Sequence, residues 1–417
     1  MPAVNRWLQQ TFAALASRDF QILWLGTLIS FLAFFTSTVV NSVVAFELSG
    51  TNRAVGLVIF AQGVAMFLFG PIGGAFADRL PKRRVIAVGQ AVTAAVFVAT
   101  ALLVASEAIH VAHLAAGTFV LGLCFAFMGP ARQAFVVDIV SADRRGNAMA
   151  LSQIANNASR VLGPALAGVL LAWDAAGAAG AYAVMAGLYL LAAASLLLLP
   201  RSRGRAGIST HVFTDVGAGL RYVRDQPRLR ILMLLFVGVV MTGFPYVTVM
   251  PGLVENQLGG EAEAISLLMG VSAVGGLLTS VLVARFADSP RAPAIYSWLG
   301  LGFAGSLLLL AGAPSYPAAA LASLAIGAAN GGFQTLASAV MIHETRPEYM
   351  GRVMSLTMLA FAGFGLMSLP IGLLADALGE RVTLVTMGAA VGACVMASWW
   401  ALARVRDPAV LGPGSGS

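Results

Sequence analysis

GPIGGAFADRLPKRR, running from Gly70 to Arg84, decides the fold. An apolar run ends at Ala77, Asp78 and Arg79 follow at once, Pro81 stops the helix, and Lys82, Arg83 and Arg84 close the stretch. A helix that leaves a bilayer, turns sharply and re-enters needs a breaker at the turn and cations that hold the turn on the cytoplasmic side. Small residues at Gly70, Gly73, Gly74 and Ala77 let a neighbouring helix approach closely just before the exit.

Composition extends this reading to the whole chain. Of 417 residues, 59% are hydrophobic and only 10% charged, with a mean hydropathy of +0.86, against about 25% charged residues in soluble domains. The class is an all-α polytopic membrane protein. A net charge of +7 would suggest nucleic acid in a soluble chain, but here the arginines fall in loops between apolar runs. Nothing resembles a nucleic-acid module. Cys124 and Cys394 lie inside apolar runs, so no disulfide framework is expected. The first eighteen residues, with Arg6 and Arg18, show no small-residue cleavage site, so no cleaved signal peptide is expected. The terminal GPGSGS from Gly412 reads as a cloning scar and is left out of the fold.

Apolar stretches of roughly 20 residues number twelve: 20–46, 54–77, 84–105, 110–136, 147–172 and 177–199, then 231–253, 263–286, 292–313, 316–342, 352–376 and 382–404. The chain divides into a six-helix bundle over 1–199, a linker over 200–230, a second six-helix bundle over 231–406 and a tail over 407–417. Of 25 Lys and Arg, 22 fall at the termini, the central linker and one set of turns, including Arg132, Arg144 and Arg145 around the fourth-to-fifth turn. Arg53 and Arg381 lie on the other side and Arg160 lies inside a span. The bias makes both termini cytoplasmic. In the linker, TDVGAGLRYVRDQPRLR (Thr214 to Arg230) sets Val216, Leu220 and Val223 on one stripe, the pattern of a helix lying on the inner leaflet. A solvated tether is the alternative, because glycines weaken so short a helix.

The two halves resemble each other. GAFADR (Gly74 to Arg79) is echoed by ARFADS (Ala284 to Ser289), with Asp288 in the place of Asp78. FVVDIVSADRRGNAMAL (Phe135 to Leu151) is echoed by VMIHETRPEYMGRVMSL (Val340 to Leu356), which sets Gly146 against Gly351 and brings Asp138 within one residue of Glu344. Parallel halves around a midplane cavity are a transporter plan in which rigid bodies rock about a central site.

The whole chain resembles a major facilitator superfamily transporter. GAFADRLPKRR is similar to that superfamily's loop signature between its second and third helices, and SRVLGPALAG (Ser159 to Gly168) to the fifth-helix signature of its antiporters, with Ser159 and Ala167 replacing usual glycines. FAALASRDFQILWLGTLIS, VGLVIFAQG and GPIGGAFADR are similar to the branch of enterobactin exporters and multidrug efflux proteins. The resemblance implies that Asp78 caps the cytoplasmic N-terminus of the eleventh helix when the cavity faces outward. An anion at a helix N-terminus gains about 0.3 to 1 kcal/mol, up to ~2 when partly buried. The expected gate comprises Gly74, Asp78, Arg79, Lys82, Arg83 and Asp138, with Asp288 and Glu344 as a weaker second lock because Ser289, Pro290 and Arg291 replace the basic run. The alternative is that Arg79 to Arg84 only fix topology.

Arg160 lies about 20 Å into the fifth span by helical rise, where a lone arginine costs roughly 2.5 to 3.5 kcal/mol on insertion scales. Two readings stand side by side: contact with a substrate anion, or bonding to helix carbonyls and amides. Gly163 and Pro164 suit a bend with close packing against a neighbour; for the signature Gly163, Pro164 and Gly168 the resemblance implies leak control, with a mere kink as the alternative. The resemblance implies which polar and aromatic residues inside spans turn toward a cavity: Thr38, Asn41, Gln153, Asn157, Arg160, Tyr246, Asn330, Gln334 and Phe361, each with helix packing as the alternative. No midplane carboxylate or histidine offers itself for proton coupling; Glu47 and Glu255 sit near outer span ends.

The expected function is export of a drug-like or siderophore-like amphiphile across the inner membrane by proton antiport and alternating access. The alternatives are a lipid or lysolipid transporter and a transporter-like scaffold that moves nothing. No enzyme, metal, ATP or other cofactor is expected. The expected partners are lipids, a small-molecule substrate and protons, with no nucleic acid, and the expected state is a monomer.

Overall fold

The computed structural model describes residues 13–141, 144–173, 177–200, 212–260 and 262–405. Six long helices come first: α1 (Arg18–Ser49), α2 (Asn52–Arg79), α3 (Lys82–Ala105), α4 (Val111–Ile139), α5 (Arg145–Leu171) and α6 (Gly177–Ser195). The linker helix α7 (Val212–Asp225) follows, then α8 (Pro227–Gly243), α9 (Tyr246–Gly252), α10 (Ala262–Ala284), α11 (Ala292–Ala311), α12 (Tyr316–His343), α13 (Met350–Leu378) and α14 (Glu380–Arg404). No strand occurs among the described residues. Ten of these segments, α8 and α9 counting as one, are long and apolar enough to cross a membrane. The other two long helices, α5 and α12, carry polar residues such as Asn156, Arg160, Asn330 and Gln334 in their interiors.

Helix boundaries follow local chemistry. Ser17 caps α1 by accepting the Phe20 N–H, and Gly50 ends it in the left-handed region with φ 62°, its N–H returned to the Phe46 carbonyl. Between α13 and α14 a single glycine, Gly379 at φ 87°, makes the reversal, a conformation that side chains resist. One expectation is corrected. The seventh span is not continuous over 231–253: it begins at Pro227, breaks at Phe244 and Pro245, and ends in a π-helical turn over Leu253–Gln257. Pro245 has no N–H to give to the preceding turn.

Within bilayer-spanning bundles, close packing of small residues replaces the hydrophobic drive between helices. In the first half, α5 presses on α1 where a Cβ at Gly163 would stand 2.5 Å from Phe35 Cβ. Thr36 Oγ1 there donates to the Gly163 carbonyl at 3.1 Å. Helix α5 runs through Pro164 without interruption. The two halves meet along α2 and α13, where a Cβ on Gly63 would stand 2.6 Å from Gly365 Cα, and along α5 and α10, where one on Gly168 would stand 3.0 Å from Ser266 Cβ.

The linker helix docks on the second half with one member of the expected stripe, Val223, and its neighbour Tyr222, while another member, Leu220, points away. Tyr222 stacks on Tyr349 with ring centres 4.1 Å apart, its hydroxyl accepts the Arg346 N–H, and Val223 is buried, while Leu220 is 55% exposed. Gly219 permits this, since a Cβ there would stand 3.1 Å from Arg352 Cβ. Val216 has a side chain outside the described residues.

Candidate functional site

At the end of the bundle that carries the α2–α3 turn, here the basic end, Pro81 separates the two helices. Lys82 is only 5% exposed, and its Nζ donates to Asp138 Oδ2 of α4 at 2.5 Å. Arg83 donates to the carbonyls of Leu199 at 2.6 Å and Leu197 at 3.1 Å, just past α6, where a helix leaves its last carbonyls unpaired. The turn therefore ties α3 to both α4 and α6. Gly74, Asp78 and Arg79 stand on the last turns of α2, and their side chains lie outside the described residues.

Asp288 and Glu344 do not reproduce that geometry. Helix α10 stops at Ala284, which leaves Asp288 on a turn, 95% exposed and 3.1 Å from His343 Nε2 at the end of α12. Glu344 pairs with Arg228 of α8 at 2.8 Å. The expected second lock is thus replaced by two pairs inside the second half. The physical reason is the missing basic run, which in the first half supplies the buried cation.

At mid-depth the halves are joined by polar groups. Arg160 Nε donates to Asn156 Oδ1 at 3.2 Å, and its Nη1 donates across the divide to Gln334 Oε1 of α12 at 3.1 Å. Gln334 in turn donates to Asn330 Oδ1 at 2.8 Å. The Arg160 guanidinium also lies 5.3 Å over the ring of Phe35. Four other cavity candidates have their nearest partners within one half. Asn41 is buried and accepts the Tyr182 hydroxyl at 2.8 Å, so it joins α1 to α6. Tyr246 is buried with its hydroxyl 3.4 Å from Ser272 Oγ and its ring edge-on to Phe303. Buried phenols need a polar partner, and these two find theirs within one half. Thr38 donates to the Phe34 carbonyl of its own helix, and Phe361 meets Phe236 edge-on at 5.8 Å. Gln153 and Asn157 have side chains outside the described residues.

Sequence reasoning missed Arg132. It stands on α4 among the cations counted for the turn, but its guanidinium lies 5.1 Å over the ring of Phe31 on α1, and its buried Nε has no hydrogen-bond partner. Its place seven residues before Ile139 on α4 disguised it as a loop charge.

The opposite end holds the other group that was missed. Asp376, near the end of α13, accepts the backbone N–H of Asn52 at 2.7 Å and of Arg53 at 3.1 Å, the first residues of α2. Glu380, 5% exposed, accepts from Asn52 Nδ2 at 3.1 Å and from Asn256 Nδ2 at 2.7 Å. Two carboxylates thus close this end across the halves, one of them as an anion on a helix N-terminus. A signal for them lies in the sequence: Pro71-Ile72-Gly73 followed by Ala77-Asp78 recurs as Pro370-Ile371-Gly372 followed by Ala375-Asp376.

The sequence profile of the Major Facilitator Superfamily matches residues 23–365. The chain belongs to this superfamily. As a member it is a multi-pass membrane transporter, not an enzyme. It is 25% identical over 337 residues to the uncharacterized MFS-type transporter YfiS of Bacillus subtilis (strain 168), across 75% of this chain and 76% of that protein. It is 24% identical over 246 residues to the staphyloferrin A transporter of Staphylococcus aureus, across 58% of this chain and 61% of that one. Against the multidrug resistance protein MdtH of Cronobacter sakazakii the figures are 28% over 238 residues, 56% and 55%. In fold, this superfamily member matches the crystal structure of a bacterial homolog of the human lysosomal transporter Spinster, in its inward-facing and occupied conformation. The TM-score is 0.74 at 17% identity, covering 93% of this chain and 98% of that one.

Proposed function

We propose that this superfamily transporter exports a small amphiphile, drug-like or siderophore-like, across the bacterial inner membrane by proton antiport with alternating access. It works as a monomer with both termini in the cytoplasm, so that the basic end is the cytoplasmic one, as the distribution of arginines favours. The observation that carries the reading is the bond from Arg160 on α5 to Gln334 on α12. A polar contact between halves at mid-depth is costly in a bilayer unless it faces a cavity, and rocking of the halves must break and remake it. Relatives named for siderophore and multidrug transport support the choice of cargo. Asp78 and Lys82 at the cytoplasmic end, and Asp376 at the outer end, would set which side is open.

Uptake of an amphiphile panel into inside-out vesicles, with and without a pH gradient, tests this. Gradient-dependent uptake by the wild type, lost in Arg160→Gln, is expected. Uptake indifferent to the gradient rules out antiport. Lipid scrambling without soluble cargo would establish the lipid alternative, and silence on every substrate the scaffold.

A further inference from the structure

We infer that Arg132 and Arg160 form one anion-recognising subsite, and that the cargo is an organic dianion with a flat, apolar body. The inference rests on the transport reading above and supplies its substrate class. Phe31 and Phe35 are four residues apart on α1, hence on one face and one turn apart. A guanidinium covers each ring, Arg132 from α4 and Arg160 from α5. Helix α4 runs toward the basic end and α5 away from it, and long side chains lean toward the N-terminus of their own helix. The two arginines therefore reach toward each other along that face. Both are half-buried, as are Phe31 and Phe35, so the group is not sealed inside its own half, and Arg160 reaches the divide, where it meets Gln334 of the other half.

Neither charge meets a carboxylate among the described residues. Arg132 has no ion pair and no hydrogen bond among the described residues, and its Nε is buried without a partner. Arg160 has only two neutral amides, from Asn156 and Gln334. The carboxylate nearest in sequence to Arg132 on its own helix, Asp138, is taken by Lys82. A guanidinium carries five donors in a planar fork that fits a carboxylate bidentately. Two such forks, stacked on phenylalanines and without a counter-ion among the described residues, match a ligand with two carboxylates. The stacked rings of Phe34 and Phe125, 5.1 Å apart, continue the wall for a flat body.

The test uses the purified full-length protein in detergent, with no gradient and no transport step. Naphthalene-2,6-dicarboxylate, 2-naphthoate and the dimethyl ester of the diacid share one ring system and carry two, one and no charges. Affinities are read by thermal shift and calorimetry. The wild type is expected to rank them dianion, monoanion, ester, with about tenfold or more between first and last. Arg132→Gln should compress that ladder to a single step while leaving the ester unchanged, and the double change with Arg160→Gln should flatten it. Arg132→Lys, which keeps the charge but not the fork, should recover part of it and stands in if the glutamine variant fails to fold. A flat ladder in the wild type, including no binding at all, overturns the inference, as does a variant that weakens dianion and ester equally. Because binding is read without flux, a protein that binds by this ladder but does not export would overturn the transport reading alone.

Discussion

A charge buried in a bilayer protein is only as stable as what answers it, and here three cations illustrate three answers. Lys82 has a full ion pair with Asp138, Arg160 has neutral amides, and Arg132 has an aromatic face alone. Removing one partner of a buried pair strands the other, which typically costs roughly 3 to 5 kcal/mol. Because 31% of the Asp138 side chain is exposed, Asp138→Asn should fall at or below the low end of that range in detergent unfolding. Replacing both partners at once, Lys82→Met with Asp138→Leu, should restore most of the loss. A double variant no more stable than Asp138→Asn would show that the pair does not act as a unit. The legibility of these residues in the sequence differs for a physical reason. Arg160 lies far from either end of its helix and is visible as a buried charge, whereas Arg132 lies near a helix end, where hydropathy cannot tell a bundle-facing arginine from a loop one. For Asn41 and Tyr246 the sequence does not tell cavity lining from packing, because spans that are apolar nearly all round give no periodicity that points a side chain inward or sideways.

Elements were more legible than side chains, since run length and a breaker at Pro81 are enough to mark a span. What the runs do not encode is which spans touch. That is decided by small residues whose partners lie hundreds of positions away. Gly63 on α2 meets Gly365 on α13 so closely that a Cβ would stand 2.6 Å from the facing Cα, whereas a Cβ on Gly70, two turns further along α2, would meet nothing within 4 Å. Overpacking a tight contact costs typically about 1 to 3 kcal/mol. Gly63→Val should therefore lower the melting temperature and part the halves, seen as increased labelling of a cysteine placed at Ser368, while Gly70→Val should do neither. Equal effects from the two would show that the α2–α13 contact is not a constraint. Pro245 marks the break in the sequence, but the apolar run around it has the length of one continuous span.

At the scale of the molecule, α2 and α13 form an antiparallel pair with an acid near each C-terminal end. Asp376 of α13 holds the N-terminus of α2 in this structure, through the backbone N–H groups of Asn52 and Arg53. In the proposed cycle Asp78 of α2 does the same for the N-terminus of α13 when the opposite side is open. The two caps cannot both be closed if the halves rock as rigid bodies, so each works against the other and their difference sets the resting population. Each cap is worth about 0.3 to 1 kcal/mol, up to ~2 when partly buried, and ~1.4 kcal/mol is tenfold in an equilibrium. Asp376→Asn should therefore move the resting ensemble toward the state open at the Asp376 end by up to roughly 30-fold, and Asp78→Asn should move it the other way by a comparable factor. The double variant should rest near the wild type, because the two losses offset each other. Distances between spin labels on facing ends of α2 and α13, measured in lipid, would report both shifts. Displacement in the same direction by the two single variants, or a double variant further from the wild type than either, would mean that the acids act locally and not as opposed ends of one lever.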